Sequence, residues 1–542
     1  MMATEARLPM DIRAVELLVL LLLLFIIAFG VIARRVRTPY PIVMILGGLL
    51  LCFIPGIPSF TLDPDLIFLV VLPPLLYSSA WTTSWRDFKS NLTSILFLAF
   101  GLVGFTVIGV AVLGPRVLPG FDWRLAMVLG AVVAPTDAIA AGAIARRIGL
   151  PARISDVLEG ESLINDATGL LALQFAIAAV VSRTIPTVSG SLLTLAWLTI
   201  GGVGLGLLVA WVVYYVDRQM DDGPVEIAFS ILVPYGAYFI ADSVHASGVL
   251  AVVACGLVLT RRSADMFSPS VRIQVSSFWQ SFTFVLNGTV FVLIGLQLSS
   301  ILTGVDGYSL RKAIISGAIF SGVLIVLRLA WVFPGSWLAN LVYCRVHHTE
   351  QKAPKARAVF VVGWTGMRGV VSLAAALSLP TVLANGKPFP QRNFIVFLTF
   401  CVILVTLVLQ GLTLTPLVRW LGLAGADGLD SEEREARRIM IEAAVAYLNT
   451  VKKERSDVPG HIIDDLIGHY RHRLASLVPS EADQEHVSHH YSFVEISRET
   501  ARIERQTAVR LRNESRINDQ VLRRIERELD LAESRFIEED GN

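Results

Sequence analysis

The sequence predicts an all-α polytopic membrane protein of about 13 transmembrane helices, followed by a helical, water-exposed C-terminal domain. Composition is the first reason: 54% of the 542 residues are hydrophobic and 17% charged, against about 25% charged in ordinary globular chains. That balance argues against a soluble multidomain enzyme. The second reason is an uneven distribution of charge. Residues 424–542 carry 18 basic and 25 acidic side chains, leaving 28 and 20 for the first 423. The net charge of +1 therefore hides a basic membrane domain, 1–423, and an acidic cytoplasmic regulatory tail, 424–542.

A hydrocarbon core of ~30 Å needs roughly 20 apolar helical residues per crossing. Thirteen candidate spans precede the tail: 14–33, 38–54, 65–80, 92–114, 123–145, 155–181, 190–216, 224–243, 247–260, 275–300, 312–333, 357–383 and 392–420. The first is followed directly by Arg34-Arg35-Val36-Arg37 with no small-residue cleavage site, so it reads as a span rather than a removable signal. Lys and Arg concentrate on the cytoplasmic side of membranes. With the N-terminus outside, 17 of the 28 basic residues fall inside and 9 outside, while Arg328 and Arg368 lie within spans. The tail is then cytoplasmic. Cys52, Cys255, Cys344 and Cys401 have no paired spacing, so neither a disulfide framework nor a zinc site is implied.

An ionisable group at the bilayer centre costs about 2.5–3.5 kcal/mol on insertion scales, so each needs a partner, a wet cavity or a task. Span five reads Val133-Ala134-Pro135-Thr136-Asp137. Pro135 removes a backbone donor and clashes with the preceding turn, so the helix is expected to break there. Such a break leaves carbonyls and the Thr136 hydroxyl free for a cation; the plainer alternative is a kink with Asp137 capping the next half-helix.

Span six carries Glu161-Ser162-Leu163-Ile164-Asn165-Asp166. On a helix Ser162 lies one turn below Asp166, whereas Glu161 points about 140° away from it, so the two acids have different jobs. Asp166, with Ser162 and Asn165, makes a hard oxygen site for a small cation or a proton. Glu161 needs an internal counter-charge. Arg368, in the glycine-rich Gly366-Met367-Arg368-Gly369 of span twelve, is the expected partner in a structural ion pair, and Arg328 either joins it or snorkels. Two interrupted spans at opposite orientation point to an inverted repeat with its site at the midplane.

Pro135-Thr136-Asp137, Glu161 to Asp166 and Gly366-Met367-Arg368-Gly369 resemble signature segments of the monovalent cation/proton antiporters of the NhaP and sodium/proton exchanger branch. The resemblance implies a homodimeric, multi-pass plasma-membrane transporter. It would exchange Na⁺, or Li⁺ or K⁺, for H⁺ by alternating access, without enzyme activity or a cofactor, the ions being its substrates. Spans four to six and eleven to thirteen would form its core. Asp166 would bind cation or proton, with Asp137, Ser162 and the backbone at Thr136. Asn165 would mark electroneutral exchange, and Glu161 with Arg368 a structural pair. Its partners would be the ions, membrane lipid and a second copy, with no nucleic acid.

The tail predicts helices at 430–456, 461–477 and 484–537, forming a small bundle or docking surface rather than a long dimer zipper, because Ser515 and Asn518 interrupt the apolar stripe. His461, His469, His472, His486, His489 and His490 are either a pH sensor or solvated surface residues. No nucleotide-binding GxxxxGK[ST] motif is present, so ion gradients must drive transport. A sensor signalling through the tail, a cation channel, and an intramembrane aspartyl protease using Asp137 and Asp166 are the rival readings.

Overall fold

Inside hydrocarbon every backbone N–H and C=O must be satisfied within the protein, and a helix does this within one segment. The computed structural model describes residues 12–54, 63–181, 188–304, 309–348, 354–383, 386–424, 429–454, 459–477, 484–514 and 516–540. Among these no extended strand forms, only an isolated bridge between Val382 and Pro388. Of the charges used for orientation, Arg7, Arg183 and Lys352 lie outside the described residues, as does Ser515.

The helices are α1 (Ile12–Val36), α2 (Tyr40–Leu51), α3 (Pro64–Thr82), α4 (Trp85–Val117), α5 (Trp123–Val133), α6 (Ala138–Ile148), α7 (Ala152–Val181) and α8 (Val188–Asp217). They continue as α9 (Gly223–Ser243), α10 (Gly248–Met266), α11 (Pro269–Thr303), α12 (Leu310–His347), α13 (Ala356–Trp364), α14 (Val370–Leu377) and α15 (Arg392–Trp420). Among the described residues nine are long and apolar enough to cross a membrane, while α2 and α5 are shorter apolar helices. Their outer faces stay apolar: Leu20, Leu24, Ile27 and Val31 on α1, and Leu193, Trp197, Ile200 and Trp211 on α8, are all exposed. Water would disfavour such faces; lipid does not.

Small residues let helices approach closely where lipid offers no hydrophobic drive. A side chain at Gly48 would run into the Val292 carbonyl, and one at Gly295 would lie 2.5 Å from the Ile45 carbonyl, so α2 and α11 cross nearly backbone to backbone. Local caps start several helices: Ser84 accepts from Asp87 N–H at 3.4 Å, and Asp122 from Leu125 N–H at 2.9 Å.

Two expectations need correcting. Span eleven was placed at 312–333, yet α12 runs on to His347 with Pro334 inside it. A membrane helix tolerates that break because neighbouring groups re-satisfy the freed carbonyl. The last tail helix, expected as one piece over 484–537, is two.

Chain contacts divide the molecule into Met1–Ala426 and Asp427–Asn542. The second unit contains α16 (Leu429–Glu454), α17 (Gly460–Leu477), α18 (Gln484–Asn513) and α19 (Asp519–Asp540), each packed on the next. Asn518 accepts from Val521 N–H at 2.9 Å and so caps a new helix where a continuous one was expected. Ile441, Ile463, Ile467, Val494, Ala501 and Leu522 are buried in this unit. Arg505 bridges α18 to Asp530 and Glu533 of α19 at 2.5 and 2.7 Å. The side chains of His486, His489 and His490 lie outside the described set.

Candidate functional site

In an unbroken helix the Asp137 N–H would bond the Val133 carbonyl four residues back. Pro135 prevents this, and residues 134–137 leave the helix between α5 and α6. The Asp137 N–H instead donates to the Met367 carbonyl at 2.8 Å, in the non-helical stretch 365–369 between α13 and α14. The orphaned Val133 carbonyl accepts from Arg368 Nε at 3.1 Å. Each interruption thus supplies what the other lacks. Ser372 Oγ adds a bond to the Pro135 carbonyl at 3.4 Å, and Thr406 Oγ1 accepts from the Arg368 N–H at 3.1 Å.

Asp137 caps α6, its Oδ1 accepting from Ile139 and Ala140 N–H at 2.8 and 3.4 Å. The plain capping role is therefore present. It does not exhaust the carboxylate, whose Oδ2 faces Gly369; a Cβ there would collide with it, so glycine is the residue that fits.

Helix α7 brings the remaining groups to this crossing. Glu161, wholly buried, is gripped at both oxygens by Arg328 of α12, at 2.6 and 2.9 Å. Arg328 also donates to the Val362 carbonyl at 3.1 Å. This corrects the expected Glu161–Arg368 pair. Arg368 lies close enough to feel the charge of Glu161, but its guanidinium is engaged by the carbonyls of Val133 and Gly366. A planar fork already spent on two carbonyls is not free to clasp a carboxylate, whereas Arg328 presents its fork squarely to Glu161. Of the two alternatives open for Arg328, joining the Glu161 network or snorkelling, the structure shows the first.

Thr136 sits at the junction. Its hydroxyl donates to Glu161 Oε1 at 3.3 Å and accepts from Asn165 Nδ2 at 2.6 Å, while its carbonyl accepts from Ser162 Oγ at 2.6 Å. Asn165 Oδ1 is buried and has no hydrogen-bond partner among the described residues. The five residues expected to bind the ion, Thr136, Asp137, Ser162, Asn165 and Asp166, therefore meet in one place.

Asp166 differs from its neighbours. It is 6% exposed, and no hydrogen bond or ion pair from a described residue reaches its carboxylate. It lines a cavity of about 40 Å³ together with Thr136, Asp137, Ser162 and Ser372. A water needs roughly 10–15 Å³ by this kind of measure, so a few small ligands fit. Ser79 and Ile139 line both this cavity and a vestibule of about 980 Å³ that opens beside Arg34 and Arg37. The carboxylate is thus buried, with Ser79 and Ile139 standing between its cavity and the vestibule.

Residues 19–420 match the family model described as sodium/hydrogen exchanger, transmembrane. A Mycobacterium tuberculosis protein called an uncharacterized Na⁺/H⁺ exchanger is 34% identical, with 94% of each chain covered. An Escherichia coli protein of the same description is 30% identical, covering 96% of this chain and 99% of its own. A sodium, potassium, lithium and rubidium/H⁺ antiporter of Bacillus pumilus is 32% identical over 85% of this chain and 69% of its own. The solved sodium/proton antiporter of Methanocaldococcus jannaschii shares the fold at a TM-score of 0.59 and 19% identity, covering 75% of this chain and 99% of that one. On the family match and these identities, this chain belongs to the sodium/hydrogen exchanger family and is a secondary transporter, not an enzyme.

Proposed function

We propose that the chain exchanges Na⁺ for H⁺ at Asp166, one for one, by alternating access of that carboxylate to the two sides of a cell membrane. The observation that carries this is the contrast in satisfaction among the buried acids. Glu161 is neutralised by Arg328 and Asp137 is engaged as a cap, while Asp166 faces a small, mainly apolar cavity with no partner among the described residues. A buried carboxylate in hydrocarbon is costly to leave charged and alone, so it carries either a proton or a cation. Two guests that exclude each other at one site, exposed alternately, give coupled exchange. A channel needs no such exclusion.

The cation ligands would be Asp166 with oxygens from Asp137, Thr136, Ser162 and the unpartnered Asn165 Oδ1. Asn165, neutral where a second acid would add a charge, supports electroneutral stoichiometry. We read 13 crossings, counting α2 as one span, α5 with α6 as the fifth and α13 with α14 as the twelfth, which makes the two interrupted spans members of an inverted repeat. The N-terminus then lies outside, the Arg34–Arg37 end of the vestibule inside, and the second unit is a cytoplasmic regulatory domain. The functional form would be a homodimer in lipid.

The test is dissipation of a pH gradient in proteoliposomes on addition of Na⁺, Li⁺ or K⁺ separately. Coupled proton movement with Na⁺ supports the reading. Uncoupled conductance, or a response to K⁺ alone, rejects it in favour of a channel or a potassium exchanger.

A further inference from the structure

Helix α7 passes a second cleft, on the other side of Asp166 from the vestibule. Read along the helix, Glu159 lines the vestibule, Ser162, Leu163 and Asp166 line the small cavity, and Ala167, Thr168, Leu170 and Gln174 line a separate cleft of about 120 Å³. At 1.5 Å of rise per residue, the path from Glu159 to Gln174 is about 22 Å of α7. The order is strict, so the three spaces succeed one another across the membrane.

Two helical stripes cross from one space to the next. Ser162, Asp166 and Leu170 are spaced four apart and therefore share a face; the first two line the inner cavity and the third the far cleft. Leu163 and Ala167 make the same passage on the neighbouring face. The barrier between Asp166 and the far cleft is then about one helical turn, with Leu170 as its apolar layer.

The other wall of the cleft comes from α8, α9 and the start of α10, through Thr199, Tyr238, Asp242 and Ser247. Asp242 is the one charged residue among the described lining residues, and no basic residue accompanies it. It sits at the penultimate position of α9 and is exposed, and no described side chain pairs with its carboxylate. Near it stand the Gln174 side chain and the Thr199 and Ser247 hydroxyls, all oxygen donors of the kind a hard monovalent cation accepts. By contrast, the vestibule on the other side has Arg34 and Arg37 at its lining.

We propose that this cleft is the outer half of the ion pathway and that Asp242, with Gln174, Thr199 and Ser247, is an outer recruitment site for a hydrated monovalent cation on its way to or from Asp166. An exposed carboxylate lining a cleft with no basic residue beside it raises the local cation concentration. The proposal rests on the reading of Asp166 as the exchange site and on the orientation given above. It predicts that the two faces of the transporter respond differently to one substitution.

The experiment compares right-side-out and inside-out vesicles, with Na⁺ applied to one face at a time at low ionic strength, where the field of an exposed carboxylate is least screened. Asp242→Asn is expected to raise the half-saturating Na⁺ concentration several-fold at the outer face, with a change of less than twofold at the inner face. Equal changes at both faces, or none at the outer face, overturn the assignment. Independently, Thr199→Cys in a chain with Cys52, Cys255, Cys344 and Cys401 replaced is expected to react with a membrane-impermeant thiol reagent added outside, and more slowly when the reagent is added inside. Failure to react from outside rejects the cleft as an outer pathway. Failure of the Asp166 reading shows separately, as Na⁺/H⁺ exchange retained by Asp166→Asn in either vesicle type.

Discussion

Two carboxylates on α7, Glu161 and Asp166, lie five residues apart at similar depth, yet their surroundings are opposite. Around Glu161 the carboxylate is met at both oxygens by Arg328, and Thr136 adds a further donor. Around Asp166 there is a cavity and no partner among the described residues. In a medium that solvates nothing, a fully compensated charge fixes helices, whereas an uncompensated one must take its compensation from a mobile ion. The sharpest attempt to break this comparison is Asp166→Asn. It is expected to abolish Na⁺-driven proton movement in proteoliposomes while leaving the thermal unfolding midpoint close to that of the parent. Retained exchange would move the site elsewhere.

The converse holds for the compensated pair. Arg328→Ala leaves Glu161 buried and alone, which typically costs about 3–5 kcal/mol. A large drop in the unfolding midpoint in detergent is expected, with partial recovery in Arg328→Ala/Glu161→Gln, where no uncompensated charge remains. An unchanged midpoint with altered Na⁺ affinity would instead place the pair in the pathway. Arg368→Lys has a smaller expected effect. It keeps the charge but loses the planar fork that holds the Val133 and Gly366 carbonyls, about 1.5–3 kcal/mol for hydrogen bonds to a charged group. Hydrogen exchange at the α5 and α13 ends would report it. Thr136→Val removes one hydroxyl shared by Glu161 and Asn165, an expected loss of about 1 kcal/mol, read as a small shift of the same midpoint.

The sequence shows what hydropathy and backbone chemistry can encode locally. Pro135 marks the end of α5 because a missing N–H and a ring clash act on the immediately preceding turn, whereas Gly366 and Gly369, within the non-helical stretch before α14, weaken the helix through backbone entropy. The grouping of Asp137, Ser162 and Asp166 followed from helical spacing and from resemblance. What stayed hidden is the choice between two arginines. Arg328 and Arg368 are each a charge in an apolar span, and nothing periodic says that one points its fork at Glu161 while the other is absorbed by carbonyls freed by a helix break. That assignment depends on how α7, α12 and the two interruptions meet in space, over separations of more than 160 residues.

The smallest expected effect lies in the second unit and sharpens the comparison by contrast. Arg505 bonds two acids, as many carboxylate contacts as Arg328 makes with its one, and at similar distances. Its partner Asp530 is two-thirds exposed, however, and Arg505 and Glu533 keep a third and a quarter of their side chains in water, so solvent already screens these charges and the contacts gain little. Arg505→Ala in the full chain is therefore expected to leave amide exchange across α18 and α19 within experimental error, and raising salt from about 0.05 to 0.5 M should shorten the screening length and erase even a residual difference. The same salt change should not alter the stability lost in Arg328→Ala, because that pair sits where mobile ions do not penetrate. If Arg505→Ala instead loosened α18 and α19 as strongly as Arg328→Ala loosens the membrane unit, solvent exposure would not be what separates a structural charge from an idle one in this protein.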